Sequence, residues 1–457
     1  MVPSMKNSKK RMDMKIKLKI ILFKQKVIES IKYDYNWCKF PLVLFAYILI
    51  YAYIFSGNKL KAFNISSVIY RTGWCGSYGL GLHFARYFFY NKERANTLTV
   101  AAIDNIQPLS NTAQFFDYPE NMLDGIITVL KSANKDEKGV LILNYSYYFL
   151  MFHKYFNVER ILENYIVVLE PSWAGFCEIS ILSYANVSSD VYLMCYEKRD
   201  LNFINELNTK IKPIEIGPSW FVNHKNFQVS SSERDIDIIM VAAWAKFKRH
   251  GAFFKAISKL KNNGISPRIV LVGYPVDTDK ETILQLADHY GVSDWLTIYE
   301  SITHKEVAAL LNRSKVNVLW SKFEGNNRAI IEGMFCNTVV IMRKGHNYGE
   351  HYDFINEKTG MFAGESDLAD SVLKVLNSYG SFSPRKYVLD KRSCIAATEI
   401  LNKVISNDER LSGREWINDL VVKVNELHNM DYLDLTVREK FKQDYAYLLE
   451  LLKKNEG

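Results

Sequence analysis

Two carboxylates are the residues here whose type and spacing most readily suggest chemistry. Glu324 and Glu332 stand eight positions apart in "SKFEGNNRAIIEGMF", residues 321–335. The first follows the apolar run "KVNVLW" (315–320), which reads as a strand. The second falls inside an amphipathic pattern that reads as a helix. Ligands of open parallel sheets bind where strands end in loops, on the carboxyl side. Residues 321–327 are such a loop. The helix that follows offers free N–H groups and a positive dipole end, which suit a phosphate. Asn326 and Asn327 favour its start, because their side chains cap well. Beside an anion held there, Glu324 is suited to accept hydrogen bonds from sugar hydroxyls. Glu332, about five residues into the helix, is suited to reach a ribose diol. The stretch would hold a sugar, a diphosphate and a nucleoside in order.

Such a site needs sheets to position it. Strand candidates in the first half are residues 67–70, 97–103, 140–144, 165–170 and 191–195. In the second half they are 235–243, 268–273, 296–299, 315–320 and 337–342. Helical patterns alternate with them, which predicts parallel sheets covered by helices on both faces. Residues 217–235 are polar and turn-rich and read as a linker. The expected fold is α/β, with two Rossmann-like domains facing a cleft and an N-terminal hydrophobic helix. The expected boundaries are 1–60 for a basic segment and membrane anchor, and 61–220 for an acceptor domain. A donor-binding domain takes 221–405 and a helical tail 406–457.

The net charge of +8 lies wholly in the first 40 residues, which hold eleven Lys/Arg and three Asp/Glu. The remainder holds 47 of each sign, so nucleic acid is not an expected partner. After the basic stretch, residues 40–56 ("FPLVLFAYILIYAYIFS") carry no charge. Seventeen helical residues span roughly 25 Å, the short end for a bilayer core. Tyr33, Tyr35 and Trp37 precede them as an interfacial belt would. This reads as a membrane anchor, with a buried or membrane-surface helix as the other reading. The side of the membrane on which the rest of the chain lies is left open. On the anchor reading, deleting residues 1–58 should leave a soluble, folded chain. Six cysteines without a CxxC predict neither a disulfide framework nor a structural zinc.

The Glu324–Glu332 pair resembles the E-x7-E motif of retaining GT-B glycosyltransferases of the GT4 type, also called glycosyltransferase group 1. The resemblance runs over roughly residues 235–400. It includes "IIMVAAWAKFKRHGAFFKAISKL", "RIVLVG" with Gly273, and "GVSDWLTIYESITHKEVAALLNRSKVNVLWSKFEG". It implies a retaining transfer from a nucleotide-diphosphate sugar to a glycan, lipid or other acceptor, without metal or cofactor. It implies that Glu324 contacts the transferred sugar and Glu332 the ribose. Where the family has Arg and Lys after its first C-domain strand, this chain has Trp244 and His250. Lys246, Lys248 and Arg249 would neutralise the diphosphate in their place. The usual N-domain histidine reads Asn144–Tyr145–Ser146. A GT-B epimerase or phosphorylase, or an inactive sugar-nucleotide-binding scaffold, remain the alternatives.

Other stretches carry weaker signals. "RTGWCGSYGLGLHFARYFF" (71–89) reads as a glycine loop between a first strand and a helix. Gly76, Ser77 and Gly79 would face donor phosphates and acceptor, or simply pack a turn. Glu170, Ser172 and Trp173 stand in a second carboxyl-end loop suited to an acceptor, although a packed tryptophan is equally consistent. "DTD" (277–279) mimics a metal motif, but Asp279 is better read as a helix cap.

Overall fold

A computed structural model describes residues 20, 22–109, 112–345, 352–426 and 430–453. The chain divides into two compact units. One joins Asn36–Asn223 to Arg392–Gly457, and the other joins Met1–Tyr35 to His224–Lys391.

The first unit is built on a five-stranded sheet in the order β1-β2-β3-β4-β5. The strands are β1 (Ile127–Lys131), β2 (Gly139–Asn144), β3 (Tyr165–Glu170), β4 (Val191–Met194) and β5 (Ile211–Ile214). β1 runs antiparallel to β2 and the other pairs are parallel. Residues of β2 and β3 are buried on both faces, as continuous apolar strands require. Leu141, Leu143, Val167 and Leu169 pack towards the helices that precede the sheet. Val140, Ile142, Ile166 and Val168 pack towards Cys394, Ala397, Leu401 and Ile405 of the helix Cys394–Leu411. Residues after 406 are therefore not a detached helical tail. They complete this unit with that helix's end, a hairpin of β12 (Lys423–Asn425) and β13 (Met430–Tyr432), and the helix Lys442–Glu450.

Two expected strands are helices. Residues 67–70 lie in Lys59–Thr72 and residues 97–103 in Lys92–Asp104. Asn58 and Asn91 cap these helices through their side chains. The buried positions Ala62, Phe63, Ser66 and Tyr70 follow a helical period, which overrides the strand preference of "SVIY". Residues 73–76 consequently join two helices rather than a strand and a helix, and Ser77 and Gly79 lie inside the second, Ser77–Phe89.

The apolar N-terminal helix exists, over Asn36–Phe55, and its length and composition suffice to cross a membrane. One stripe of it, Val43, Ala46 and Ile50, is part of the first unit's core. Deleting residues 1–58, expected above to leave a soluble, folded chain, would strip that stripe away.

The second unit is built on a six-stranded sheet in the order β11-β10-β9-β6-β7-β8. Its strands are β6 (Ile236–Val241), β7 (Ile269–Gly273), β8 (Leu296–Glu300), β9 (Ser314–Leu319), β10 (Val339–Arg343) and β11 (Gly360–Ala363). All five pairings are parallel. Counted within the unit this is the doubly wound order 3-2-1-4-5-6. It reverses direction between β6 and β9, which are direct neighbours. Leu22 of a helix over residues 22–33 packs onto this unit's core.

Candidate functional site

In a doubly wound sheet the crevice opens at the switch point, outside the carboxyl ends of the two strands that flank it. Here those strands are β6 and β9. The loop after β6 carries Lys246, Lys248 and Arg249, and the loop after β9 carries Glu324, Asn326 and Asn327. The topology thus brings seven of the sequence-predicted residues to one end of one sheet, counting Glu332 in the helix Arg328–Phe335.

Glu324 is buried and joins the two loops. Its Oε1 accepts from Lys248 Nζ at 2.5 Å and from the Ser321 hydroxyl, and its Oε2 accepts from Asn327 Nδ2 at 3.1 Å. Asn327 also caps the motif helix, accepting from Ile330 N–H at 3.2 Å. One asparagine therefore fixes both the helix start and the carboxylate. Asn326 precedes it in the same loop. Glu332 is buried one turn further, where Oε1 accepts from Arg328 Nε at 2.6 Å. Arg328 Nη2 is buried without a partner, a donor left over at the helix start.

The three cations do not act as one cluster. Lys246 extends into solvent, while its N–H donates to Asp277 Oδ1 at 2.8 Å. Lys248 is spent on Glu324. Arg249 is buried in a left-handed backbone conformation (φ 60°), with Nε 2.8 Å from Glu29 and Nη2 2.5 Å from Glu365. Its Nη1 is buried without a partner. His250 follows it, and burial, aided by the Lys248 charge, pushes its imidazole down to about 3. It is neutral at physiological pH and cannot stand in for the cation the resemblance expects there. Trp244 is buried against Gly273, whose missing Cβ would meet Ala242 O at 2.4 Å and Trp244 Nε1 at 2.5 Å. Gly273 thus serves close packing at the end of β7.

Sequence reasoning missed the helix over residues 22–33, which runs across both loops. Glu29 pairs with Arg249, and Asp34 just past the helix pairs with Lys322 at 2.8 Å. Gln25 Nε2 donates to Lys246 O at 3.1 Å, and Tyr33 stacks on Phe323 with centroids 6.5 Å apart. Burial opposes the Asp34 charge, but the hydrogen bond and field of Lys322 outweigh it and hold the carboxyl below its usual range. The same contest, won mainly by Arg249, lowers Glu365. A signal was present: Glu29 and Asp34 are two of only three acids in an otherwise basic stretch of 40 residues. A cavity of about 460 Å³ lies between this helix and the loops, lined by Tyr33, Phe247, Phe323, Lys246, Glu324 and Asp277 among others. A second, of about 610 Å³, opens beside Arg249, Lys322, Arg343 and Glu365.

In the first unit, Gly76 caps the helix Ser77–Phe89 with φ 84°, and the buried Ser77 hydroxyl accepts from Arg199 Nη2 at 3.1 Å. A Cβ at Gly79 would meet nothing within 4 Å. The loop is a helix–helix corner. Glu170 is not open to an acceptor, because Lys423 and Asn425 each donate to it at 2.6 Å. Trp173 is partly exposed, and its Nε1 donates to Glu178 at 2.9 Å. Asp279 caps the helix Lys280–Tyr290, as expected. Among the described residues no group of three or more His, Cys, Asp or Glu is placed to hold a metal.

The second unit, then, is a doubly wound parallel sheet with an acidic residue at its switch point. Residues 222–389 match the family model described as Glycosyl transferases group 1. The two-sheet α/β organisation agrees with the GT-B fold class. No curated protein sequence matches the chain. Among solved structures, a sucrose-phosphate synthase from Thermosynechococcus elongatus is similar at 16% identity and TM-score 0.45, covering 60% of this chain and 74% of that one. HepE of Anabaena, solved with UDP-glucose, is similar at 9% identity and TM-score 0.45, covering 66% and 84%. TarM of S. aureus is similar at 14% and TM-score 0.42, covering 56% and 58%. All three scores lie below 0.5, so the group 1 likeness rests on residues 222–389.

Proposed function

We propose that this chain is a retaining, metal-independent glycosyltransferase that moves a sugar from a nucleotide-diphosphate sugar to a glycan or lipid acceptor. One observation carries the reading: a buried glutamate, Glu324, held at the switch point by a cation from the neighbouring loop and by the cap of the motif helix. In this reading Glu324 accepts hydrogen bonds from the transferred sugar, and Glu332 holds the ribose. The helix start and the freed cations of the β6 loop stabilise the leaving diphosphate. Lys248 then exchanges part of its contact with Glu324 for the β-phosphate. No base is required of the protein, because the departing diphosphate takes the acceptor's proton on the same face of the sugar.

A second reading is a sugar-nucleotide-binding subunit without turnover. It is favoured by the uncharged Trp244 and His250, and by the engagement of Lys248 and Arg249 with carboxylates. Thermal shift with UDP-, GDP-, ADP- and CDP-sugars, followed by turnover of the labelled donor that binds, separates the two. Hydrolysis or transfer supports the enzyme. Saturable binding without either supports the subunit, and no binding at all rejects both.

A further inference from the structure

We infer that the outer face of the helix Asn36–Phe55 seats in the plane of an anionic phospholipid surface, rather than the helix crossing the bilayer. Its inner stripe, Val43, Ala46 and Ile50, is buried in the first unit. Tyr47 and Tyr51 pack on Phe84, with centroids 5.4 and 5.2 Å away, and the Tyr51 hydroxyl lies 2.7 Å from His83 Nε2. These contacts would all have to be broken to thread the helix through lipid. The chain also turns back at once: Gly57 has φ 83°, and Asn58 caps the next helix by accepting from Lys61 N–H.

The opposite stripe is exposed and wholly apolar. At helical spacing it holds Pro41, Leu44, Phe45, Ile48, Ala52 and Phe55, with Phe45, Ile48 and Phe55 62%, 69% and 86% exposed. A monomer does not leave such a stripe to water without an occupant. Charge decides which occupant fits. A strongly basic sequence precedes the helix and Lys59 and Lys61 follow it, while residues 40–56 have no charge. A second copy laid along this stripe, in either direction, would bring basic ends together. Anionic head groups neutralise both ends while the acyl region takes the apolar face.

The test is co-sedimentation of the full chain with phosphatidylglycerol–phosphatidylcholine vesicles and with pure phosphatidylcholine vesicles. Binding to the anionic vesicles should exceed the neutral case roughly tenfold or more and fall with salt. An alkaline carbonate wash should release the chain. The variant Leu44→Ser/Phe45→Ser/Ile48→Ser should lose about tenfold in binding with an unchanged unfolding midpoint, since all three residues are exposed. Retention of the wild type through carbonate would overturn the proposal in favour of a span. Absent wild-type binding, equal binding to both vesicle types, or undiminished binding by the variant would also overturn it. So would a wild-type dimer that the variant splits while neither binds vesicles. The salt and carbonate arms decide the matter even if the variant misfolds, and no arm depends on sugar transfer.

Discussion

The two glutamates of the motif have different neighbours, and their loss should therefore damage different steps. Glu324 borders the loop cavity of about 460 Å³ and, in the proposed reading, contacts the group that transfers, so Glu324→Gln should lower the single-turnover rate. The amide keeps the shape but has a single accepting oxygen, so it cannot keep the bonds from both Ser321 and Asn327, which reach different oxygens. Glu332 pairs with Arg328 along the helix and, in the proposed reading, holds a part of the donor that transfer leaves unchanged. Glu332→Gln should mainly weaken binding of the free nucleoside diphosphate, which Glu324→Gln should spare. A lost charged hydrogen bond costs about 1.5–3 kcal/mol, roughly ten- to a hundredfold. Calorimetric binding beside single-turnover transfer checks both, and the reverse pattern rejects the roles. A second residue-scale expectation concerns acid stability. Burial raises Glu137, but hydrogen bonds from Lys131, Ile417 N–H and Asn418 outweigh it and bring the carboxyl down to about 2 from 4.5. A folded-state value below the unfolded one contributes stability that is present above pH 4.5 and lost as pH falls towards 2. The side chain is fully buried, so the contribution is up to roughly 3 kcal/mol. Denaturant unfolding of wild type and Glu137→Gln from pH 6 to pH 2 should show the two curves converging across that window.

At the scale of elements, the second sheet was legible in the sequence and much of the first unit was not. β7, and β10 up to Arg343, are unbroken apolar runs, which is what burial on both faces demands, and β6, β8 and β9 keep enough apolar residues around Asp237, Thr297 and Asn317 to read as strands. The expected strands at 67–70 and 97–103 failed because a helical period included polar or small residues, such as Ser66, Ala95 and Ala102, that are nonetheless buried. β1 was missed because its run ends in Lys131, a lysine buried only because Glu137 stands 2.7 Å away. β5 hides behind Lys212 and Pro213, and β11 is four residues long. The helix over 22–33 left one trace in the sequence, the acids Glu29 and Asp34 in a basic stretch, but nothing local tells that stretch that it will lie across loops two hundred residues on. Its two carboxylates occupy Arg249 and Lys322, cations that a diphosphate would also seek. Glu29→Gln/Asp34→Asn should therefore tighten pyrophosphate binding by about five- to tenfold, an effect that salt erodes. Weaker binding would instead make the helix a wall of the site.

For the whole molecule, the units are discontinuous in sequence, and the chain's ends belong to different ones. Removing residues 1–58 should cost the first unit about 3–5 kcal/mol through Val43, Ala46 and Ile50, read as a lower urea midpoint. The closing piece matters more. Lys423 is fully buried, donating at 2.6 Å to Asn144 and to Glu170, and lies with its ammonium 4.8 Å from the Phe221 ring centroid. Lys423→Met should leave the Glu170 charge without its counter-ion and cost about 3–5 kcal/mol, whereas Lys423→Met with Glu170→Gln should recover much of it. A double-mutant cycle in urea measures that difference. On the ribosome, Glu170 emerges 253 residues before the lysine that neutralises it. At ordinary elongation rates that is a wait of roughly 13–50 s. The six-stranded sheet of the other unit, from Ile236 to Ala363, is translated in full during that interval. The unit whose sheet is made first thus finishes last, and its earlier half needs shelter from aggregation until the final stretch arrives.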